Sequence, residues 1–150
     1  MKRLITLILL CIPLSVFAQT DHIAPLIKKY SQFKNCSTVV LSKEMLNQMY
    51  ANSGIESMQA ISVEDPALLD ILRNDLEKFI GGYNLLMSVN SDGTNVEIYR
   101  VEQHYKSKST GKRESIDDLF IVAISQTEGV VIRLTGHNIE LSDATSLINI

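Results

Sequence analysis

Residues 115–136 read SIDDLFIVAISQTEGVVIRLTG, and this stretch decides how the rest of the chain folds. Phe120 to Ile124 is apolar at every position. Both faces of the segment therefore need apolar cover, which is the pattern of a central strand with helices above and below it. Thr127, Glu128 and Gly129 interrupt the run, and VVIRLT resumes it with β-branched residues, so the two segments read as a β-hairpin.

Upstream, YNLLMSV and NVEIYRVEQ flank NSDGT. Asp92-Gly93 is a favoured pair for a tight turn, so these segments form a second hairpin and the four strands make a meander. Before the meander the apolar period changes from two to about 3.6. Leu69, Leu72, Leu76, Phe79 and Ile80 line one face of a helix that Asp65 caps, Pro66 begins and Gly81-Gly82 ends. Earlier still, IESMQAIS and STVVLS read as short strands. Met45, Leu46, Met49 and Tyr50 line a short helix with Ser42 at its cap, and Ile23, Leu26, Ile27, Tyr30 and Phe33 line another with Pro25 in its first turn. The expected fold is a single α+β domain: a sheet of about six strands, mixed at one end and mostly antiparallel, with a C-terminal four-strand meander and helices packed on it.

The N-terminus reads MKRLITLILLCIPLSVFAQT. Lys2 and Arg3 precede an apolar run and a small-residue cut site after Ala18, the three parts of a secretory signal peptide. Residues 1–18 are thus expected to be removed and residues 19–150 to form the domain, placing it in the periplasm or outside the cell. The run is too short and too interrupted by Pro13 to remain as an anchor. Cleavage takes the basic count from 14 to 12 against 17 acidic residues, a net charge near −5. That balance argues against a nucleic-acid partner. Cys36 alone remains after processing, so no disulfide forms within one chain, and its place beside STVVL is that of a small buried hydrophobe.

The sequence carries no G-x-S-x-G elbow, no H-E-x-x-H, no paired C-x-x-C and no glycine-rich dinucleotide loop. STGKR has Lys106 where a phosphate loop needs its first glycine. Asp117 and Asp118 are adjacent on a strand, so they point to opposite faces and do not converge on one substrate atom. His22, His104 and His137 lie in distant segments without ligand spacing. Met45, Met49, Met58 and Met87 read as core fillers. No catalytic, cofactor or metal residues are therefore assigned. The candidate contact is the basic stretch HYKSKSTGKRE between the hairpins, where Tyr105, Lys106, Lys108, Lys112 and Arg113 suit an anionic surface or an acidic partner.

The closing stretch RLTGHNIELSDATSLI places His137, Glu140 and Asp143 three residues apart. A turn at Gly136 to Asn138, an outward Glu140, an N-cap at Ser142 and a first-turn Asp143 account for all of them without a site. IKKYSQF, STVVLSKEMLNQM, the capped helix before Gly81-Gly82, VEIYRV and this ending together resemble the DUF4252 proteins, found mainly in Bacteroidetes. The resemblance implies an exported α+β domain of Gram-negative envelopes and transfers no catalytic residue. The expected function is a non-enzymatic binding protein of the bacterial envelope, its partner an envelope protein or anionic surface. The alternatives are a small hydrolase with a site assembled by the fold, and a carrier of an apolar ligand.

Overall fold

The computed structural model describes residues 23–51, 54–101 and 116–146. The elements run α1 (Ala24–Tyr30), β1 (Cys36–Leu41), α2 (Lys43–Met49), β2 (Ile55–Val63), α3 (Pro66–Ile80), β3 (Tyr83–Ser91), β4 (Thr94–Val101), β5 (Asp118–Ile124), β6 (Gly129–Gly136) and α4 (Leu141–Ser146). One six-stranded sheet has the order β1-β2-β6-β5-β4-β3, and every pairing is antiparallel, including the end for which a mixed arrangement was allowed. β3 to β6 form the expected meander.

β5 is central, and its alternation divides two cores. Phe120 and Val122 face one side with Ile61, Val63 and Val131, where Ile23, Tyr30, Leu69, Leu72 and Leu76 of the α1 and α3 segments cover them. Leu119 and Ile121 face the other side with Ile98, Ile132 and Leu134, beneath Leu46 of α2 and Ala144 of α4. A strand apolar at every position is what this double cover requires.

The local signals explain the elements. Asp65 accepts a hydrogen bond from the Ala67 N–H at 3.0 Å and Pro66 opens α3, so one of the helix's unpaired donors is satisfied and one is removed. Asp92 and Gly93 both take left-handed φ, 51° and 78°, closing the β3–β4 turn between the paired Ser91 and Thr94. Where α3 hands over to β3, Phe79 stacks on Tyr83 at 5.7 Å and both meet Phe120, at 5.1 and 5.5 Å.

Three expectations need correction. Met45 and Met49 are exposed, at 50% and 58%, and are not core fillers, although Met58 and Met87 pack against the second core. α2 has seven residues, and Leu46 with Tyr50 one turn later forms its inward stripe, which turns Met45 and Met49 outward. Ser42 stands at the N-cap of α2 but makes no side-chain cap to the backbone. Its hydroxyl instead hydrogen-bonds Glu44, whose carboxyl is held below its ordinary value first by a backbone hydrogen bond from its own amide and then by this one. At the end of the chain α4 begins at Leu141, so Ser142 lies within the first turn and Glu140 takes the cap position, its carbonyl accepting from the Asp143 and Ala144 N–H groups.

Candidate functional site

The corner where β6 ends is held by main-chain hydrogen bonds. The His137 N–H donates to the Gly54 carbonyl at 2.9 Å, the Ile139 N–H to Ile116 at 2.8 Å, and the Asn138 N–H to Asp117 Oδ1 at 3.2 Å. Asn138 has φ 51°, which asparagine tolerates. The turn is thus tied to the segments entering β2 and β5. The His137 ring is 76% exposed and faces Glu56 Oε1 at 3.7 Å, a carboxylate that also takes Lys43 Nζ at 3.2 Å. Glu140 points to solvent and Ile139 is buried. His137, Glu140 and Asp143 therefore do not form a cleft, and among the described residues no group of three or more His, Cys, Asp or Glu could hold a metal ion.

Asp117 and Asp118 part as strand geometry requires. Asp118 is gripped by Arg133 across the β5–β6 pair, Nη2 to Oδ2 at 2.8 Å and Nε to Oδ1 at 3.2 Å, with both side chains largely buried. A two-point guanidinium–carboxylate pair fixes geometry as well as charge. Beside it Ser57 and Thr135 hydrogen-bond each other across β2 and β6. This polar row ties strands together. Cys36 is half-buried against the first core, and burial followed by the charge of Asp65 pushes its thiol up, away from the reactive thiolate.

The concave site lies elsewhere. Between the second half of α3 and the β4–β5 surface is an open cleft of about 510 Å³. Leu76, Ile80, Val122 and Ile124 supply apolar lining, and Asn95, Glu97 and Tyr99 alternate along β4 to form a polar wall. Arg73 and Glu77, one turn apart on α3, stand at the opposite wall, and Arg73 also reaches Asp70 at 3.2 Å. The cleft exists because α3 crosses the β2, β6 and β5 side chains and leaves β4 less covered.

Its polar wall is internally bonded. The Tyr99 hydroxyl donates to Glu97 Oε2 and the Asn95 amide donates to Glu97 Oε1 at 3.0 Å. Burial, then the hydrogen bond and charge of Glu97, push the Tyr99 phenol up to about 12, so it stays a neutral donor at any ordinary pH. The wall presents fixed dipoles beside an apolar floor, an arrangement that suits binding an amphipathic group.

Among the described residues, none of the polar groups weighed as a site from the sequence (Asp117, Asp118, His137, Glu140 and Asp143) lines this cleft. Tyr105, Lys106, Lys108, Lys112 and Arg113, together with His22 and His104, lie outside the described residues. The signal that would have found the cleft is the alternation in NVEIYRV, whose Val96 and Ile98 pack inward on the second core while Asn95, Glu97 and Tyr99 occupy the other face.

A family model described as "Domain of unknown function (DUF4252)" matches residues 30–147. The chain belongs to the DUF4252 family. No curated protein and no solved structure matches it. The match runs from Tyr30, the last residue of α1, through α4, so the second core and the cleft lie within it, and the first core does apart from Ile23, Leu26 and Ile27.

Proposed function

We propose that this DUF4252 chain is an exported, non-enzymatic binding domain of the bacterial envelope, and that the α3–β4–β5 cleft receives a segment of a partner protein. The observation that carries the reading is the cleft's composition: an apolar floor beside a row of internally bonded polar groups on β4. Such a surface takes up apolar side chains and orients them by a few hydrogen bonds. β4 runs on in sequence toward the basic stretch that carries Tyr105, Lys106, Lys108, Lys112 and Arg113. The partner segment accordingly combines apolar residues for the floor with acidic residues for these cations. The N-terminal pattern of Lys2, Arg3, the apolar run and Ala18 supports export.

The test is capture from the protein's own envelope extract with a C-terminally tagged chain, followed by mass spectrometry. The recovered bait is expected to begin at Gln19. Glu77→Lys with Asn95→Arg fills the mouth of the cleft from two non-core positions, and is expected to lose the partner while keeping the far-UV spectrum. Changing Lys106, Lys108, Lys112 and Arg113 to Gln is expected to weaken the same capture and its salt dependence. Unchanged recovery by the cleft variant would sink the reading.

A further inference from the structure

The sheet has two edges, and they differ. β3 carries a register irregularity between Leu85 and Met87, the kind of bulge that spoils an edge for further pairing. β1 has none: Cys36 to Leu41 pairs with β2 in continuous register, and among the described residues no strand lies beyond it. CSTVVL contains no charged residue and no proline, and Val39 and Val40 are 43% and 63% exposed. The usual defences of an edge strand are absent here.

We propose that β1 pairs with β1 of a second copy of this chain, antiparallel about a two-fold axis through Val39, to join two sheets into one of twelve strands. This is independent of the cleft reading.

The backbone selects the register. The Glu64 N–H donates to the Asn35 carbonyl at 2.9 Å, which makes Asn35–Glu64 a hydrogen-bonded pair in the β1–β2 register. Alternation then turns Ser37, Val39 and Leu41 toward β2 and the N–H and C=O groups of Thr38 and Val40 toward the open edge. The Cys36 N–H is taken by the Phe33 carbonyl at 3.3 Å, so the free groups centre on Thr38 and Val40. A two-fold at Val39 sets Thr38 of each copy against Val40 of the other, with both exchanging main-chain hydrogen bonds, and brings the two Val39 side chains together.

The flanks are compatible with this register. Val39 lies on the face that carries α2, whose exposed Met45 and Met49 border the joint. The charges nearest the strand in sequence are Lys34 at one end and Lys43 with Glu44 at the other, and Lys43 is engaged by Glu56 at 3.2 Å. Antiparallel pairing about Val39 carries Lys34 of one copy toward Glu44 of the other and sets no like charges opposite each other within the strands. A second copy is thus complementary in hydrogen bonding, apolar surface and charge.

The test is sedimentation equilibrium on the chain from Gln19, which retains every described element. The expected mass is that of a closed dimer. Val40→Lys alters a side chain that is 63% exposed and is expected to weaken the dimer at least tenfold with an unchanged far-UV spectrum. Lys34→Glu alone and Glu44→Lys alone are each expected to weaken it, and the double reversal to recover it. In a Cys36→Ala background, Val39→Cys is expected to cross-link under mild oxidation. A monomer at high micromolar concentration overturns the proposal, as do open-ended oligomers, which signal β1 pairing with β3 of a neighbour. A Val40→Lys protein that remains fully dimeric overturns it equally, and failure of the double reversal overturns the register.

Discussion

Glu97 has both carboxylate oxygens engaged, one by the Tyr99 hydroxyl and one by the Asn95 amide, and this makes a single tyrosine report on the cleft. The folded phenol is raised to about 12 from an unfolded value of 10.0, so the neutral form is favoured by folding. Its stabilising contribution is complete below pH 10, where both states hold the proton, and is lost as pH rises through the window to about 12. Tyr30 behaves alike for a different reason: burial, then its hydrogen bond and the charge of Asp75, raise its phenol still further. A phenolate absorbance titration of the five tyrosines is therefore expected to show late-ionising groups, one of which disappears in Tyr99→Phe. That variant is also expected to lose less stability between pH 10 and 12 than the parent. If Tyr99→Phe leaves the late ionisation unchanged, Glu97 does not hold the Tyr99 proton.

At the scale of elements, the sequence was readable wherever one element carried its own instructions. α3 announced both ends with Asp65-Pro66 and Gly81-Gly82, the β3–β4 turn announced itself with Asp92-Gly93, and β5 announced its double cover by lacking polar residues from Phe120 to Ile124. It was less readable where the answer lay in a partner element. Met45 and Met49 share the helical spacing of Leu46 and Tyr50, and only the docking of α2 selects which stripe faces inward. The cleft stayed hidden for the same reason, because the polar face of β4 becomes a wall only once α3 lies opposite it. Gly136 was legible as a bend but not as a crossing. A Cβ there would lie 2.0 Å from the Gly54 carbonyl oxygen and 3.0 Å from the Glu56 nitrogen, both backbone atoms that cannot swing aside. Gly136→Ala is expected to cost about 1–3 kcal/mol, the range for overpacking a filled site. Gly82→Ala meets nothing within 4 Å and is expected to be neutral or slightly stabilising. Urea midpoints of the two variants check the contrast, and equal losses would mean that the β6–β2 crossing relaxes freely.

For the whole molecule, the consequence of one sheet with two covered faces is that neither core can melt alone. β5 and β6 contribute alternate residues to both: Phe120 and Val131 to one, Ile121 and Ile132 to the other. Opening either face leaves the same two strands uncovered on that side while they still hold the opposite helices, so the layers share their stability. Ile61 and Ile121 test this, because they lie on non-adjacent strands and on opposite faces, and both are essentially inaccessible to solvent. Ile61→Val and Ile121→Val are each expected to lower stability by about 0.5–1.5 kcal/mol. Because they lie in separate cores, their effects are expected to add to within about 0.5 kcal/mol in the double variant. The chain has no tryptophan, so tyrosine fluorescence and far-UV circular dichroism are the two natural probes. They are expected to trace one coincident urea transition in all four proteins, with the midpoint moving and the slope constant. Two separated transitions, with Ile61→Val moving one and Ile121→Val the other, would show that the helices on each face form their own cooperative unit and that the shared strands do not couple them.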